Sequence, residues 1–512
     1  MDAAQRPGTR RVAVIDLGSN TFRLVVFTDE PGAWWRRTDE IYEPVRISAG
    51  MGDSNELQPG PMERAVHTIE AYDHFCRASG LTRQDVQAVA TSAIRDATNR
   101  EDFLARAATV SDLAVRVLEP EEEARYGYLA AVNSTTLADG AVLDLGGGSL
   151  QLIAVENQQA GELGSWPLGA VRMTERFLPE KKPSKKQLKA LRGHVRETLA
   201  DATWLPAAGQ RLIGIGGTVR NLAAALQHQA DLPSLGVQGF VIEREALSSL
   251  VSDLADMSPS DRSDVKGIKP ERADVILAGA AVIEAVLEFG EFAAVETTEA
   301  GLREGIFFET HLAGQEPPVF EDVRGASVRN LAGQYHADQP HVGHVAQLAL
   351  AMFDALARDR VIAGDHDERE LLWAAAMLHD IGMTVDYDDH HKHSRYLILN
   401  AGLPGFSPRE LALIALMARY HRKGSPSFGD LEALMETGDE DRLARGAALL
   451  RLAEQLERTR DQLVREVRVG TDNGRVSLEL IHDGDASVAY WAAVRQVDLF
   501  EEAFGRELQI SA

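Results

Sequence analysis

The apolar residues of this chain fall into two regimes. Up to about residue 312 they come as short runs closed by glycine-rich turns, alternating with helix-spaced segments, which predicts strands and helices in succession. From Val323 to Leu463 the spacing is helical throughout. The first run, Arg11 to Leu17, delivers Asp16 at its end. Gly18-Ser19-Asn20-Thr21 turns the chain, and Phe22 to Phe27 predicts a returning strand. The same pattern recurs where Ala141 to Leu145 delivers Asp144 into Gly146-Gly147-Gly148-Ser149, ahead of a strand from Leu150 to Val155. A third junction, Leu212-Ile213-Gly214-Ile215-Gly216-Gly217-Thr218, leads from strand to helix. Around these the pattern predicts a helix over Glu63 to Ser79, strands at Val86 to Ala90 and Ala114 to Leu118, and an acidic helix start after Glu119. It continues with hairpin strands at Gln151 to Glu156 and Gly161 to Pro167, and helices over Lys185 to Asp201 and Val275 to Phe289. A strand at Ala294 to Thr298 and a closing helix from Gly301 to His311 complete this half of the chain. Past the helical stretch, Val467 to Ile481 predicts a hairpin around Thr471-Asp472-Asn473-Gly474, followed by a helix over 488–505 and a strand from Glu507 to Ile510. The expected class is α/β, divided as 1–130, 131–312, 313–462 and 463–512, with Gly314-Gln315-Glu316-Pro317-Pro318 marking the change of regime.

The repeated hairpin tip carries the chemistry. Glycine turns let bare backbone N–H groups approach a phosphate closely. An aspartate beside them would repel that phosphate unless a divalent cation sat between the two. Asp16 and Asp144 are therefore metal candidates. Gly18, Ser19, Asn20, Gly146, Gly147, Gly148, Ser149, Gly216, Gly217 and Thr218, the last at a capping position, are phosphate-binding candidates. Arg95, just after a strand, is either a planar phosphate clamp or the partner of a nearby aspartate. Glu121, Glu122 and Glu123 suit a helix first turn, and one of them at the strand-to-helix corner is a candidate general base. Lys181, Lys182, Lys185 and Lys186, continued by Lys189, Arg192, His194 and Arg196, form either a solvated helix start or a groove for an anionic chain. In the helical region His341, His344, His379-Asp380, His390-His391, His393 and His421 point to a divalent metal held by imidazoles and carboxylates.

Composition narrows the partners. With 512 residues, the chain is long enough for roughly three or four domains. The net charge of −25 argues against a general nucleic-acid or acidic-membrane binder. One cysteine, Cys76, excludes an internal disulfide framework. Met1 to Arg11 has no apolar core of the signal-peptide kind, and no run reaches the ~20 apolar residues that span a bilayer, so a cytoplasmic location is expected.

Taken together, Ile15-Asp16-Leu17-Gly18-Ser19-Asn20-Thr21, Ala90 to Ala97, Glu121-Glu122-Glu123-Ala124-Arg125, Leu143 to Ser149, Gly214 to Thr218 and Ala300 to Gly305 resemble the exopolyphosphatase/guanosine pentaphosphate phosphohydrolase family in order and spacing. The resemblance implies an actin/hexokinase/Hsp70-like fold of two ribonuclease H-like halves, an all-α HD-type domain, and a small α/β cap. It implies release of terminal phosphate from inorganic polyphosphate with Mg²⁺ or Mn²⁺, Glu123 as general base and Arg95 on the phosphate. The cofactor expectations are completed by K⁺ and a second divalent metal in the helical domain. Inorganic polyphosphate and guanosine penta- or tetraphosphate are the expected partners, with pairing into a homodimer and no nucleic acid or membrane.

Two departures stand out. Relatives usually follow the glycine-rich Ser149 position with Thr and Glu, whereas this chain has Leu150 and Gln151, which makes Gln151 an amide at a metal-binding position. By resemblance to HD phosphohydrolases, His341, His379, Asp380, His393 and His421 match ligand positions, and Glu454 replaces the last aspartate. Competing functions are a guanosine pentaphosphate phosphohydrolase, an ATP-using sugar or acetate kinase, and a non-enzymatic polyphosphate or alarmone sensor.

Overall fold

The computed structural model of this chain describes residues 8–180, 182–472 and 474–512. It separates into two compact units, 1–323 and 324–512.

The first unit is built on two sheets. One contains β1 (Arg10–Leu17), β2 (Phe22–Glu30), β3 (Trp34–Glu43), β4 (Val86–Ala90) and β5 (Val115–Val117), in the order β3-β2-β1-β4-β5. The other contains β6 (Gly140–Leu145), β7 (Leu150–Glu156), β8 (Gln159–Trp166), β9 (Leu212–Ile215), β10 (Val241–Glu243) and β11 (Ala294–Thr297), in the order β8-β7-β6-β9-β11-β10. The first five strands of this second order repeat the first sheet in position and direction. An antiparallel hairpin and a third antiparallel strand lie on one side of the central strand, with two parallel strands on the other. The internal repeat of the sequence is therefore a repeat of fold. β1 and β6 are apolar on both faces because both faces are covered.

Two helices bind the sheets together. Pro120–Val132 packs on β6, β7, β8 and β9, whereas Leu302–His311, at the far end of the unit, packs on β1 and β2. The two helices also pack on each other, so each half donates one helix to a core shared with the other. Phe27 and Phe307 stack at its centre, with ring centroids 4.4 Å apart. Five helices of this unit, Ser92–Arg95, Arg100–Val110, Ala170–Phe177, Arg244–Ala255 and Pro259–Ser263, and strands β3 and β10 were not marked by the sequence pattern. β3 reads as polar because it is an edge strand whose middle residues face solvent.

The second unit is helical up to Leu456 and carries a small sheet, β12 (Val464–Asp472), β13 (Arg475–His482) and β14 (Glu507–Ser511). β12 packs on helix Gln339–Arg358, where His344 Nε2 lies 2.8 Å from the Val464 carbonyl. The expected helix over 488–505 is two helices, Ser487–Val494 and Val497–Phe504, separated by a turn at Arg495-Gln496, and Phe500 on the second is buried. Asn473, expected in the hairpin turn, and Lys181, expected in a substrate channel, lie outside the described residues. No helix among the described residues is long and apolar enough to cross a membrane.

Candidate functional site

The repeated hairpins meet tip to tip. Asp16 ends β1 opposite Arg23, and Asp144 ends β6 opposite Gln151. Each turn closes in the same way, by Gly18 N–H to Thr21 O at 3.2 Å and by Gly146 N–H to Ser149 O at 3.0 Å. The first glycine amide of each turn is thus used within the hairpin. The Gly146 and Gly147 carbonyls accept from Ala170 and Val171 at the start of helix Ala170–Phe177, which fixes the second turn on its far side. A Cβ on Gly148 would stand 2.5 Å from Ser92 Oγ and 3.1 Å from Ser19 Oγ, so a side chain here would press on the hydroxyls of Ser19 in the first turn and of Ser92 after β4. At the third junction Gly216 has φ 102° and caps helix Gly217–Gln229.

These turns enclose a cavity of about 120 Å³. Its lining brings Arg23, Arg220, Arg272 and Arg303 against Asp16, Glu123 and Asp144. Arg303 Nη1 donates to Asp16 Oδ2 at 2.9 Å. Glu123 enters from helix Pro120–Val132, whose first turn divides the labour among its acids. Glu119 caps the helix, Glu122 accepts from the Glu119 N–H, and Glu123 alone of the three is buried. Arg95 Nη1 donates to Glu123 Oε2 at 2.8 Å and to the Leu118 carbonyl at 2.9 Å.

Burial governs the electrostatics. It pushes the Glu123 carboxyl up to about 7, against the pull of Arg95 and with help from Asp144 and Asp16. Burial and Asp16 push Asp144 up to about 6, although Arg220 and Arg303 oppose them. Asp16 is also raised by burial, tempered by Arg303 and Arg23. Burial, with Arg303 and Arg23 nearby, lowers Arg220 to about 10. The cavity therefore holds an excess of guanidinium donors around acids that resist ionisation. Arg303 Nε and Asn20 Nδ2, both on lining residues, are buried and have no hydrogen-bond partner. Unpaired buried donors at this position suit an anion.

Of the phosphate-binding candidates, Gly18, Ser19, Asn20, Gly146, Gly147, Gly216 and Gly217 line the cavity. Gly148 lines a neighbouring cavity that shares Ser19 and Gly147. Ser149 lies outside the lining, buried and accepting from Gln151 Nε2 at 2.9 Å. Thr218 does not cap its helix. Gly216 starts the helix earlier, which leaves Thr218 inside the first turn, fully buried against Gly279. Arg95 sits behind Glu123 rather than in the lining. Lys182, Lys185 and Lys186 are exposed at the start of helix Lys185–Thr198 and outside the lining, while Arg192 and Arg196 pair with Glu284 and Glu288.

The sequence reading gave no role to the four cavity arginines. Arg303 and Arg220 stood within or beside motifs already noted. Arg23 could have been found from the hairpin register, since it lies as far past the turn as Asp16 lies before it. Arg272 carries no such signal.

The donor set suits one hard divalent cation. Among the described residues no lysine or arginine lies within ion-pairing distance of Asp144, whereas Asp16 already has Arg303 on one oxygen. Asp144 is the natural anchor, with the free oxygen of Asp16 near it. Gln151 lies across the ladder from Asp144, fully buried, with its Nε2 donating to Ser149 Oγ and Ser165 Oγ.

In the helical unit His341, His379, Asp380, His421 and Glu454 converge, and the partly exposed His393 is not among them. His390, one turn earlier on the same helix, takes the place expected for it.

The model described as the Ppx/GppA phosphatase family matches residues 37–313, and the one described as Ppx/GppA phosphatase, domain III, matches residues 323–489. Among solved structures, the Aquifex aeolicus member of the Ppx/GppA family is 28% identical, with a TM-score of 0.51 over 58% of this chain and 96% of its own. An exopolyphosphatase-like protein is 26% identical, with a TM-score of 0.53 over 59% of this chain and 97% of its own. An exopolyphosphatase from Cytophaga hutchinsonii, 23% identical, shares the fold with a TM-score of 0.54 over 59% of this chain and 98% of its own.

Proposed function

Since the chain belongs to the Ppx/GppA phosphatase family, a family of phosphohydrolases, we propose that it is an exopolyphosphatase, removing the terminal phosphate of inorganic polyphosphate with Glu123 as the base that activates water. The observation that carries this reading is the position of Glu123. It is a buried carboxyl pushed up to about 7 at the wall of a guanidinium-lined cavity, facing both glycine turns. A base with this affinity for a proton is matched to neutral pH.

The cavity's size fits a chain end. About 120 Å³ is less than the ~150 Å³ that accommodates benzene, so it takes a terminal phosphoryl group and leaves the rest of the substrate outside. Phosphoryl transfer asks the protein for positioning and charge neutralisation more than for covalent chemistry. Arg303, Arg220, Arg272 and Arg23 would neutralise non-bridging oxygens, and Asn20 and the turn amides would orient them. Water attacks the terminal phosphorus, and its proton passes to Glu123. The bridging P–O bond breaks, and the bridging oxygen leaves with the shortened chain. Arg95 holds the Glu123 carboxylate in place for this transfer. A Mg²⁺ or Mn²⁺ ion held by Asp144, when bound, adds positive charge at the transferring group.

The test is phosphate release with Mg²⁺ from long-chain polyphosphate and from guanosine pentaphosphate, side by side. Faster turnover of polyphosphate supports the proposal. Faster turnover of the pentaphosphate reassigns the substrate, and release from neither overturns the proposal.

A further inference from the structure

The chain that leaves β3 crosses the tip of the first hairpin. Arg46 N–H donates to the Asn20 carbonyl at 2.9 Å. Ser48 N–H and Ser48 Oγ donate to the Ser19 carbonyl at 3.2 and 3.1 Å. Ser19 and Asn20 both line the phosphate cavity, so this segment fixes how the first turn faces it.

Arg46 stands at φ 51°, in the left-handed region that few residues with a side chain adopt. Its amide serves the first half, and its side chain serves the second. Nη1 donates to Asp274 Oδ2 at 3.1 Å, and Nη2 donates to the Glu271 carbonyl at 3.2 Å. Tyr42, near the end of β3, adds a bond from its hydroxyl to Glu271 Oε1 at 3.4 Å. Between these anchors lies Arg272, at the end of the 3₁₀ turn Pro270–Arg272. Arg272 lines the cavity and has no ion-pair partner of its own among the described residues. Its guanidinium lies over the bare backbone of Gly217, where a Cβ would stand 2.4 Å from Arg272 Cζ. Its place in the cavity therefore depends on how the turn that carries it is held. Asp274 has no other ion-pair partner among the described residues, and its Oδ1 is buried without a hydrogen bond. Without Arg46, this carboxylate would have nothing to hold it.

The join differs in kind from the apolar core that the halves share between helices Pro120–Val132 and Leu302–His311. The side chains of Arg46 and Asp274 are each 42% exposed, so water and salt compete for their bond. Such a pair adds little to folding stability, and its effect falls on the groups it aligns. We propose that Arg46 is a positioning residue for the terminal phosphoryl group, setting Asn20 through its backbone and Arg272 through its side chain. This role rests on the reading of the cavity as the place where that group binds. Asn20 Nδ2, buried without a partner, then meets the phosphoryl oxygens from the first half and Arg272 meets them from the second. Arg46 is outside the lining and away from the proton path through Glu123, so its loss falls on substrate binding.

Arg46→Asn tests this, because asparagine accepts the left-handed backbone and is too short to cross to Asp274. KM for polyphosphate should rise roughly 10–100-fold, as expected when binding groups shift by about 1 Å, with kcat within about threefold of wild type. Arg46→Lys keeps the charge without the fork and should give an intermediate KM. Asp274→Arg should weaken binding through like charges, and Arg46→Asp combined with Asp274→Arg should bring KM back toward wild type. Recovery by the swapped pair is what a merely structural arginine would not show. Circular dichroism checks that each variant is folded. In hydrogen exchange without substrate, peptides covering 268–275 should exchange faster in Arg46→Asn, and those covering β6 and β9 should not. An unchanged KM in both Arg46→Asn and Arg46→Lys, or a loss confined to kcat, overturns the role. So does a swapped pair no better than either single variant. Exchange needs no turnover. If the wild type releases phosphate from neither polyphosphate nor guanosine pentaphosphate, the proposed function fails. Unchanged exchange over 268–275 then still overturns the Arg46 join, and faster exchange upholds it.

Discussion

Replacing Glu123 by Gln separates its proposed chemistry from its electrostatic cost. As general base, Glu123 is worth ~10²–10⁴ in turnover, so Glu123→Gln should release phosphate at one-hundredth of the wild-type rate or less. The amide keeps the shape and can still accept from Arg95, whose other bond goes to the Leu118 carbonyl. The same substitution should stabilise the metal-free protein at alkaline pH. The carboxyl's folded value is pushed from 4.5 to about 7, chiefly by burial. A raised value means that the folded state keeps the proton longer than the unfolded state does. The associated stability is whole below about pH 4.5 and is lost as pH rises through about 7. At ~1.4 kcal/mol per unit, the ionised carboxylate costs about 3 kcal/mol at pH 8, and the Gln side chain avoids it. In chelator, calorimetric melts of wild type and Glu123→Gln should nearly coincide at pH 5, and at pH 8 the variant's first-unit transition should lie higher by roughly 5 °C. Near-wild-type turnover in the variant would remove Glu123 as the base. A melting gap that does not widen between pH 5 and pH 8 would refute the buried-acid reasoning.

Four further outcomes are expected. Asp144→Asn should raise the Mg²⁺ concentration needed for half-maximal turnover by tenfold or more, while Asp16→Asn, which releases Arg303, should act mainly on KM for polyphosphate; magnesium titrations and substrate titrations tell the two apart. Gln151→Glu should lower the Mg²⁺ requirement, because it adds a carboxylate across the ladder from Asp144; an unchanged or higher requirement in that titration places residue 151 outside the metal's reach. Gly148→Ala forces a Cβ to within 2.5 Å of Ser92 Oγ, so a folded protein by circular dichroism with most phosphate release lost is expected. Replacing Lys182, Lys185 and Lys186 together by Gln should slow long polyphosphate more than short, and equal slowing at all lengths in a release assay would sever those lysines from the substrate path.

The paired Asp-x-Gly tips were legible because a phosphate turn and its flanking strand are local features. Spacing alone located both hairpins and joined them to a cleft. What spacing could not supply was orientation. Glu121, Glu122 and Glu123 look alike by spacing, and it is their placement in the helix that starts at Pro120 that separates them: Glu121 is exposed, Glu122 folds back to the Glu119 N–H, and Glu123 is buried at the cavity. His390 and His393 differ by one turn, and the φ of 55° at Asp389, where the helix begins, brings the earlier one inward. Arg272 reaches the cavity from the end of a single 3₁₀ turn, Pro270–Arg272, where neither periodicity nor motif marks it.

Duplication also hides an asymmetry. Asp16 and Asp144 sit at the same position of equivalent sheets, yet the residue opposite each on the hairpin differs, Arg23 in one case and Gln151 in the other. A cation beside Asp16, reinforced by Arg303, uses that carboxylate to hold guanidinium groups at the cavity wall. Among the described residues no lysine or arginine pairs with Asp144, and burial together with Asp16 raises its carboxyl against the opposing pull of Arg220 and Arg303. The two tips thus differ in their neighbours: the first sets Arg23 and Arg303 about its carboxylate, whereas the second has Gln151 across the ladder from Asp144, with Arg220 acting on that carboxylate without pairing to it. A symmetric pair, with carboxylates free on both sides or arginines on both, would repel the phosphate or bind it without leaving an anchor for the cation. The difference between Arg23 and Gln151 therefore belongs to the function as much as the repeat does.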